Sequence, residues 1–599
     1  MTQYTPPIQD IRFALQELAG LDEIAALPGY DDATPDLVEA VLEQAGTFAS
    51  EVISPINRTG DHEGVRLEQG QPRMASGWKD AYAQFAEGGW TSLSAPKEIG
   101  GQGLPFLVGA AVEEMWNGAS VAFGLLTLLS RGAINVLEHS GSDALKAKYL
   151  PRLVSGEWTG TMVLTEPQAG SDLSAVRTRA RPQGDGTYRL SGTKIFITYG
   201  DHDLTPNIVH MVLARVDGAP PGTKGISLFL VPKVLVNEDG SLGARNDVRC
   251  VSIERKLGLH ATPTCVMAFG DEEGAVGYLV GEENRGLEYM FIMMNSARFA
   301  VGIEGIGLAE RAYQQARAYA RERVQGVEQG GGGSAGKVAI IQHPDVRRML
   351  LSMKSRIEAM RALGVVIAAS MDKAEADPDA ETRAAHQAFV DLMMPVVKGW
   401  FAETGLNVAS MGIQVHGGIG FIEETGAAQH LRDARITTIY EGTTGIQAMD
   451  LVGRKIGREG GRTIRVVIER MKAVQQELAQ QTQPDLLAIG RALQQGIGEL
   501  STAADYLVET FADGPKPVLA GSVPFLELLG VVSGGWQMGR AALAAQRLLE
   551  AGSADRGFLE AKIVTGRFYA DHVLAQASGL RHAIVEGSAA TLALDEAAF

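Results

Sequence analysis

The sequence predicts an α+β protein that is mostly helical, and three observations carry that expectation. Apolar residues recur at helical spacing over 1–157 and again over 286–455 and 456–599. Between them, over 158–285, the period drops to two. Glycine and proline punctuate that middle stretch, as turns between short strands require. At 599 residues the chain exceeds the size of one compact domain. The expected order is a helical N-terminal domain (1–157), a central β-barrel or sandwich domain (158–285), a helical bundle (286–455) and an extra helical C-terminal domain (456–599).

Each element has its own signal. Asp36-Leu37-Val38-Glu39-Ala40-Val41-Leu42 puts apolar residues on one helix face, with Asp36 as candidate cap. Residues 78–90 read as a helix ending at Gly88-Gly89. Residues 120–129 are the most apolar helix candidate, about half the length of a membrane span, and Arg131 follows, so no integral membrane span is expected. The loop 95–103 carries glycines without GxGxxG spacing or a preceding strand, which excludes a Rossmann site there. Thr193-Lys194-Ile195-Phe196-Ile197-Thr198 alternates, and 208–216, 226–231, 248–253 and 264–269 read as further strands. Leu287, Met290, Phe291 and Met294 are expected to share one helix face. The glycine-rich run 327–335 should be a mobile loop. It is not a P-loop, because Gly336-Lys337 is followed by Val338. Ile464, Val467, Ile468 and Met471 repeat at helical spacing in a segment with no chemical motif.

Net charge is −17, from 54 basic and 71 acidic residues, which argues against nucleic acid or an anionic membrane as partner. A local basic pocket for an anionic ligand remains compatible with that balance. Cys250 and Cys265 are the only cysteines, so a disulfide framework is excluded and a reducing, cytoplasmic setting is expected. Asp10, Glu17 and Asp22 interrupt the opening residues, so no secretory signal is expected. No HxH, HExxH or Cys/His spacing accompanies His416 or His430, so no metal site is expected. No Gly-x-Ser-x-Gly elbow points to a thioesterase.

Three separated motifs carry chemistry. Arg435-Ile436-Thr437-Thr438-Ile439-Tyr440-Glu441-Gly442-Thr443 sets a carboxylate between an aromatic ring and a glycine after an apolar run. That is a place to bury a base beside a flat cofactor and raise its pKa. Alone, it also reads as a solvated helix cap. Val163-Leu164-Thr165-Glu166-Pro167-Gln168-Ala169-Gly170-Ser171-Asp172 is a turn with many N–H and hydroxyl groups, suited to a heterocycle edge or a phosphate. Gln414-Val415-His416-Gly417-Gly418-Ile419-Gly420-Phe421, with Arg432-Asp433 after it, is the third.

Together and in this order the motifs resemble the acyl-CoA dehydrogenase family, over roughly residues 30 to 455. The opening residues and the C-terminal extension resemble a longer subgroup, which includes 3-methylmercaptopropionyl-CoA dehydrogenases and broad-range bacterial acyl-CoA dehydrogenases. The resemblance implies FAD, lying between the β domain and the bundle, and α,β-dehydrogenation of an acyl-CoA thioester. It makes Glu441 the base. The alternative family position for a base matches Ala297, beside Arg298, and alanine cannot accept a proton.

The remaining contacts follow as implications of the same resemblance. Met162, Leu164, Thr165, Gly170 and Ser171 match the loop at the flavin, with Ser171 also near substrate. Phe196, Ile197 and Thr198 match a Trp-Ile-Thr stretch at its face and edge. Arg323, His343 (or Gln342), Gln414, Gly417 and Gly418 match the pyrophosphate and adenosine end, and Thr443 matches a contact after the base. Asn295, Arg298, Tyr440 and Gly442 match positions beside the acyl-CoA. The departures lie at the adenosine end: Gly326 and an inserted loop replace Phe-Gly, Gly445 stands where many members have Gln, and Gln429 where Lys or Arg is usual. Electron-transfer flavoprotein is the implied electron acceptor, and a homodimer the implied assembly. The competing readings are an acyl-CoA oxidase that uses oxygen and a non-catalytic binding protein of the same fold. Substrate choice, between a methylthio-acyl-CoA and fatty acyl-CoAs, has no local motif.

Overall fold

A computed structural model describes residues 3–328 and 336–599. The expected mobile loop at 327–335 lies outside these residues except for its first two positions, and Val327 belongs to a strand. Val324–Val327 pairs antiparallel with Lys337–Ala339. Packing divides the chain into two compact units that do not follow sequence order. One comprises 1–46, 105–118 and 301–599; the other comprises 47–104 and 119–300. The stretch 1–157 is therefore shared between the two, and the bundle and the C-terminal extension pack as one unit.

The second unit is built on an eight-stranded sheet. Its order is Val248–Ile253, Thr264–Phe269, Thr187–Thr198, Ala275–Val280, Ser227–Pro232, Ile208–Val216 and Thr159–Val163. Arg179–Pro182 pairs with both Thr187–Thr198 and Ile208–Val216, which closes five strands into a ring. Alternation explains the core. Val212 and Ala214 face one apolar cluster with Leu190, Ile197 and Phe229. Val209, Met211 and Leu213 face a second cluster with Leu137, Tyr149 and Trp158. Both sheet faces are covered, so Ile208–Val216 is buried along nearly its whole length.

The first unit is helical. Gly286–Glu322, whose later part belongs here, Pro344–Ala376, Ala380–Pro395 and Phe401–His416 form the bundle. The extension adds Arg462–Ala479, Pro484–Asp513, Ser522–Glu550 and Arg556–His572. Ile464, Val467, Ile468 and Met471 are buried, as their spacing predicts. Gly530 lies so close to Trp400 that an added Cβ would stand 2.2 Å from the indole. Ions also tie the ends together: Lys562 contacts Asp10 and Glu358, and Arg361 bridges Glu114 and Glu310.

Several expectations need adjustment. The helix over 36–42 is Pro35–Phe48, and its cap is Thr34, whose hydroxyl accepts from Leu37 N–H at 3.3 Å, while Asp36 sits in the first turn. The 78–90 helix ends at Glu87. The apolar stretch at 120–129 is part of a 35-residue helical run, Phe106–Ser140, broken by extended backbone at Ser120. By length and composition that run could cross a membrane, but 83% of its apolar window is buried inside the protein, the setting of a core helix. Phe291 does not join the buried face of its helix. Met290 and Met293 are buried, whereas Phe291 is 37% exposed.

Candidate active site

In the helical unit, Ala427–Ala434 runs into the short turn Arg435–Thr438, and Thr444–Asp450 begins six residues later. Glu441 occupies the connection in a left-handed conformation (φ 56°). For a side chain with a Cβ this costs roughly 1–2 kcal/mol, so its surroundings must hold it. They do so on both sides. The Glu441 carbonyl accepts from Gln447 Nε2 at 3.2 Å. Gly442 follows at φ 94°, where a Cβ would stand 2.6 Å from that same Gln447 nitrogen. Thr443 caps the next helix through its hydroxyl, which accepts from Ile446 N–H at 3.2 Å. Thr444 donates to Glu403 at 2.6 Å.

On the other side of Glu441, the Tyr440 hydroxyl donates to the Glu304 carboxyl. Glu304 is buried in the bundle, and burial pushes its carboxyl up to about 8. Glu113 and Glu441 push in the same direction, while Tyr440 and Lys398 oppose it. Lys398 is itself buried and donates to the Thr437 carbonyl at 2.8 Å. Glu304 therefore stays largely protonated at neutral pH, and the turn rests on a neutral acid. Tyr440 is pushed far above its ordinary value by burial and by Glu304, so it remains a donor.

In the β-containing unit, the loop after Thr159–Val163 is organised by one side chain. Glu166 accepts from Arg177 N–H at 2.7 Å, Thr178 N–H at 3.0 Å and the Thr178 hydroxyl at 2.6 Å. It also accepts from Lys194 Nζ at 2.9 Å and Gln168 Nε2 at 2.6 Å. Burial would raise its carboxyl, but Lys194 and these donors hold it at about 2. Burial pulls the Lys194 ammonium down to about 8 against the opposing pull of Glu166. Lys194 donates as well to the Leu164 carbonyl at 2.8 Å, and Ile195 N–H to the Thr165 carbonyl at 2.9 Å. The loop is thus fastened to Thr187–Thr198, and Met162, Leu164 and Thr165 are brought to the strand that carries Phe196, Ile197 and Thr198.

These residues fit a flavin. Phe196 is 59% exposed at φ 58°, an aromatic ring turned out of its strand. Among the described residues the hydroxyls of Thr165, Ser171 and Thr198 hold no hydrogen bond, so they remain available as donors or acceptors. Gly170 is exposed, and a Cβ there would meet nothing within 4 Å. Ile197 can offer only its backbone, because its side chain is in the sheet core. Asn295 is exposed and Arg298 is buried, both on Gly286–Glu322 within the same unit.

The residues that the resemblance matched to the adenosine end all lie in the helical unit. Tyr319 stacks on His416 at 4.6 Å, just before Gly417 (φ 65°) and Gly418, both exposed. Arg323 donates its N–H to the Tyr319 carbonyl at 2.8 Å and leaves its side chain exposed at the same end. His343 Nε2 bonds the Gln325 carbonyl at 2.7 Å, so that nitrogen already serves the adjacent ladder. Gln414 is exposed and lines a cavity of about 710 Å³ with Arg348, Arg356 and Thr444.

Glu166, Lys194, Glu304 and Glu403 were not among the sequence candidates. Two carried a usable signal: Lys194 sits in an alternating strand, and Glu304 interrupts the run Val301-Gly302-Ile303-Glu304-Gly305-Ile306. A lone charge in an apolar stretch marks a buried, paired group.

Comparison with known proteins places this geometry. Consecutive stretches match the family models for the acyl-CoA dehydrogenase N-terminal domain (36–157), middle domain (161–271) and C-terminal domain (284–456), and for an acetyl-CoA dehydrogenase C-terminal-like segment (467–595). The chain belongs to the acyl-CoA dehydrogenase family. It is an oxidoreductase that acts on acyl-CoA with FAD as cofactor. It is 51% identical over 575 residues to the 3-methylmercaptopropionyl-CoA dehydrogenase of Ruegeria pomeroyi, covering 96% of this chain and 97% of that one. It is 35% identical over 619 residues to the broad-specificity linear acyl-CoA dehydrogenase FadE5 of Mycobacterium tuberculosis, covering 100% of both. Its fold matches that of Caenorhabditis elegans ACDH-11, solved in complex with C11-CoA, at a TM-score of 0.75 and 21% identity over 98% of this chain and 97% of that one.

Proposed function

We propose that the chain desaturates a short acyl-CoA thioester to its trans-2-enoyl-CoA, with Glu441 as the base. The observation that carries this is the Glu441 turn: a carboxylate held in a costly backbone conformation by Gln447, Gly442 and the capped helix behind it. Glu441 removes the proton α to the thioester carbonyl, and its backbone N–H polarises that carbonyl. FAD, when bound, supplies the two-electron acceptor for the hydride from the β carbon. Thr165, Ser171 and Thr198 bind its polar edge through their hydroxyls, and Phe196 supplies a ring face. Arg323, Gln414, Gly417 and Gly418 serve its pyrophosphate and adenosine, while Asn295 and Arg298 serve the acyl-CoA. Tyr440, bonded to Glu304, fixes the turn ahead of the base.

The substrate reading is 3-methylmercaptopropionyl-CoA, supported by the 51% identity to an enzyme of that name across nearly the whole chain. Fatty acyl-CoAs, and with them fatty acid β-oxidation, are the alternative, supported at 35% identity. Electrons pass on to electron-transfer flavoprotein. A homodimer is supported by an exposed apolar run beside Gly417-Gly418, where Ile419 and Ile422 accompany Phe421, itself 83% exposed. A cytoplasmic setting is supported by two buried free cysteines.

The test is anaerobic mixing of the yellow protein with a panel of acyl-CoAs while the flavin absorption is followed. Wild type should bleach fastest with the methylthio-substrate. No bleaching by any thioester, with FAD bound, would overturn the desaturation reading. Faster bleaching by longer unsubstituted chains would overturn the substrate assignment alone.

A further inference from the structure

The helical unit holds a second concentration of charge that dehydrogenation does not use. A cavity of about 430 Å³ opens among the N-terminal segment, the bundle helix Pro344–Ala376 and the extension helix Ser522–Glu550. Four cationic side chains line it, Lys373, Arg470, Arg540 and Arg547, against two carboxylates, Glu17 and Glu23. Both carboxylates are engaged. Glu23 pairs with Lys373 at 2.7 Å, and Glu17 lies 3.8 Å from Arg547.

The other two guanidinium groups have no carboxylate partner among the described residues. Arg540 donates to the neutral Leu18 carbonyl at 2.8 Å and to Gln537 Oε1 at 2.8 Å. Burial, and then Arg547, push it below its ordinary value. Arg470 stands over the Phe389 ring at 5.7 Å. His386, on the same wall, is pushed down by burial and by Lys373 and Arg470, and its Nδ1 has no hydrogen-bond partner. Arginine does not surrender its proton in a protein, so these two half-buried guanidiniums keep their charge, and with Lys373 and Arg547 they leave the cavity two positive charges in excess of its carboxylates. That excess of positive charge sits in a chain of net charge −17.

The walls indicate what kind of anion. Planar guanidinium forks match phosphate oxygens two at a time. The volume falls within the range of small-molecule sites and exceeds what a bare phosphate fills. Phe389 and Trp536 add aromatic faces to the same walls. We infer that this cavity binds a phosphate ester of up to nucleotide size, apart from the desaturation chemistry.

The site also depends on the parts of the chain outside the three core dehydrogenase segments. The N-terminal wall, residues 16–23, precedes the stretch that matches the N-terminal dehydrogenase domain at 36–157. Arg470, Trp536, Arg540 and Arg547 all lie within 467–595, the appended C-terminal-like segment. The extensions thus build a binding site as well as a covering.

Calorimetric titration of the full chain, as purified, with pyrophosphate and with AMP tests the inference. Sulfate at equal ionic strength and the variants Arg470→Gln and Arg540→Gln are run alongside. Saturable one-to-one binding is expected, weaker by about tenfold or more in each variant, as loss of a charge-assisted bond implies. Arg540→Gln removes two structural hydrogen bonds and can loosen the fold. Arg470→Gln removes only a ring contact and keeps the test decisive. Repeating the AMP titration with the enzyme saturated in acyl-CoA separates the two sites, and unchanged binding is expected. No binding of either probe, an equal response to sulfate, undiminished binding in Arg470→Gln, or displacement by acyl-CoA would each overturn the inference.

Discussion

Two glutamates buried in different units meet opposite fates. Glu166 in the β unit is held at about 2, and Glu304 in the helical unit is pushed up to about 8. Burial acts on both in the same direction. The difference lies in their neighbours. Glu166 faces an ammonium and several N–H and O–H donors, so its charge is solvated by protein. Glu304 has a single tyrosine hydroxyl as donor, and two further carboxylates in its vicinity counter the pull of Lys398, so its charge is not. The protein uses one as a charged staple for a loop and the other as a neutral prop for a turn. A buried carboxyl is thus assigned its role by its donors, not by its depth.

The largest break of this pattern comes from the turn that Glu304 supports. Glu441→Gln keeps the shape but removes the proton acceptor, and kcat in an anaerobic flavin-reduction assay should fall by about 10²–10⁴-fold with FAD retained. Glu166→Leu comes next. It leaves Lys194 buried without its anion, which should cost about 3–5 kcal/mol in denaturant unfolding and release FAD on gel filtration. Glu166→Gln should fall between, because it still accepts some of the same bonds.

The pH dependence sharpens the contrast. Glu166 lies below the ordinary carboxylate range, so its contribution is present above about pH 4 and is lost as pH falls toward 2. Glu304 lies above it, so its contribution is present below about pH 4 and is lost as pH rises through 8. Thermal melts from pH 6 to 9 should therefore decline in wild type and flatten in Glu304→Gln, which still accepts from Tyr440. An unchanged alkaline slope in that variant would remove Glu304 as its source. The smallest effect belongs to Thr443→Ala, the loss of a helix cap, at about 1 kcal/mol in the same melts.

What could be read in advance follows from distance along the chain. The turn at Glu441 was legible because carboxylate, glycine and cap are contiguous. The alternation of Thr187–Thr198 was legible because a strand writes its two faces directly into sequence. The Glu166–Lys194 pair spans 28 positions and the Tyr440–Glu304 bond 136, and no local pattern reports either. Ile197 shows a finer limit. The motif match assigned it to the cofactor, and its side chain went to the core because strand parity decided which way it faced. The helix over 36–42 starts at Pro35 rather than after Asp36, because proline suits the first helical position, and that makes Thr34 the cap. The boundary between units was not legible at all, since it depends on which apolar faces find each other.

The close approach of Gly530 to Trp400 has a consequence for anyone trimming this protein. The C-terminal extension is not a detachable cassette, because its helix Ser522–Glu550 is seated on a bundle tryptophan with no room for even a methyl group. A truncation at the end of the familiar dehydrogenase region would leave that indole and the apolar side of the bundle bare. Such a shortened product belongs with aggregation-prone fragments, so the bundle and the extension have to be made together.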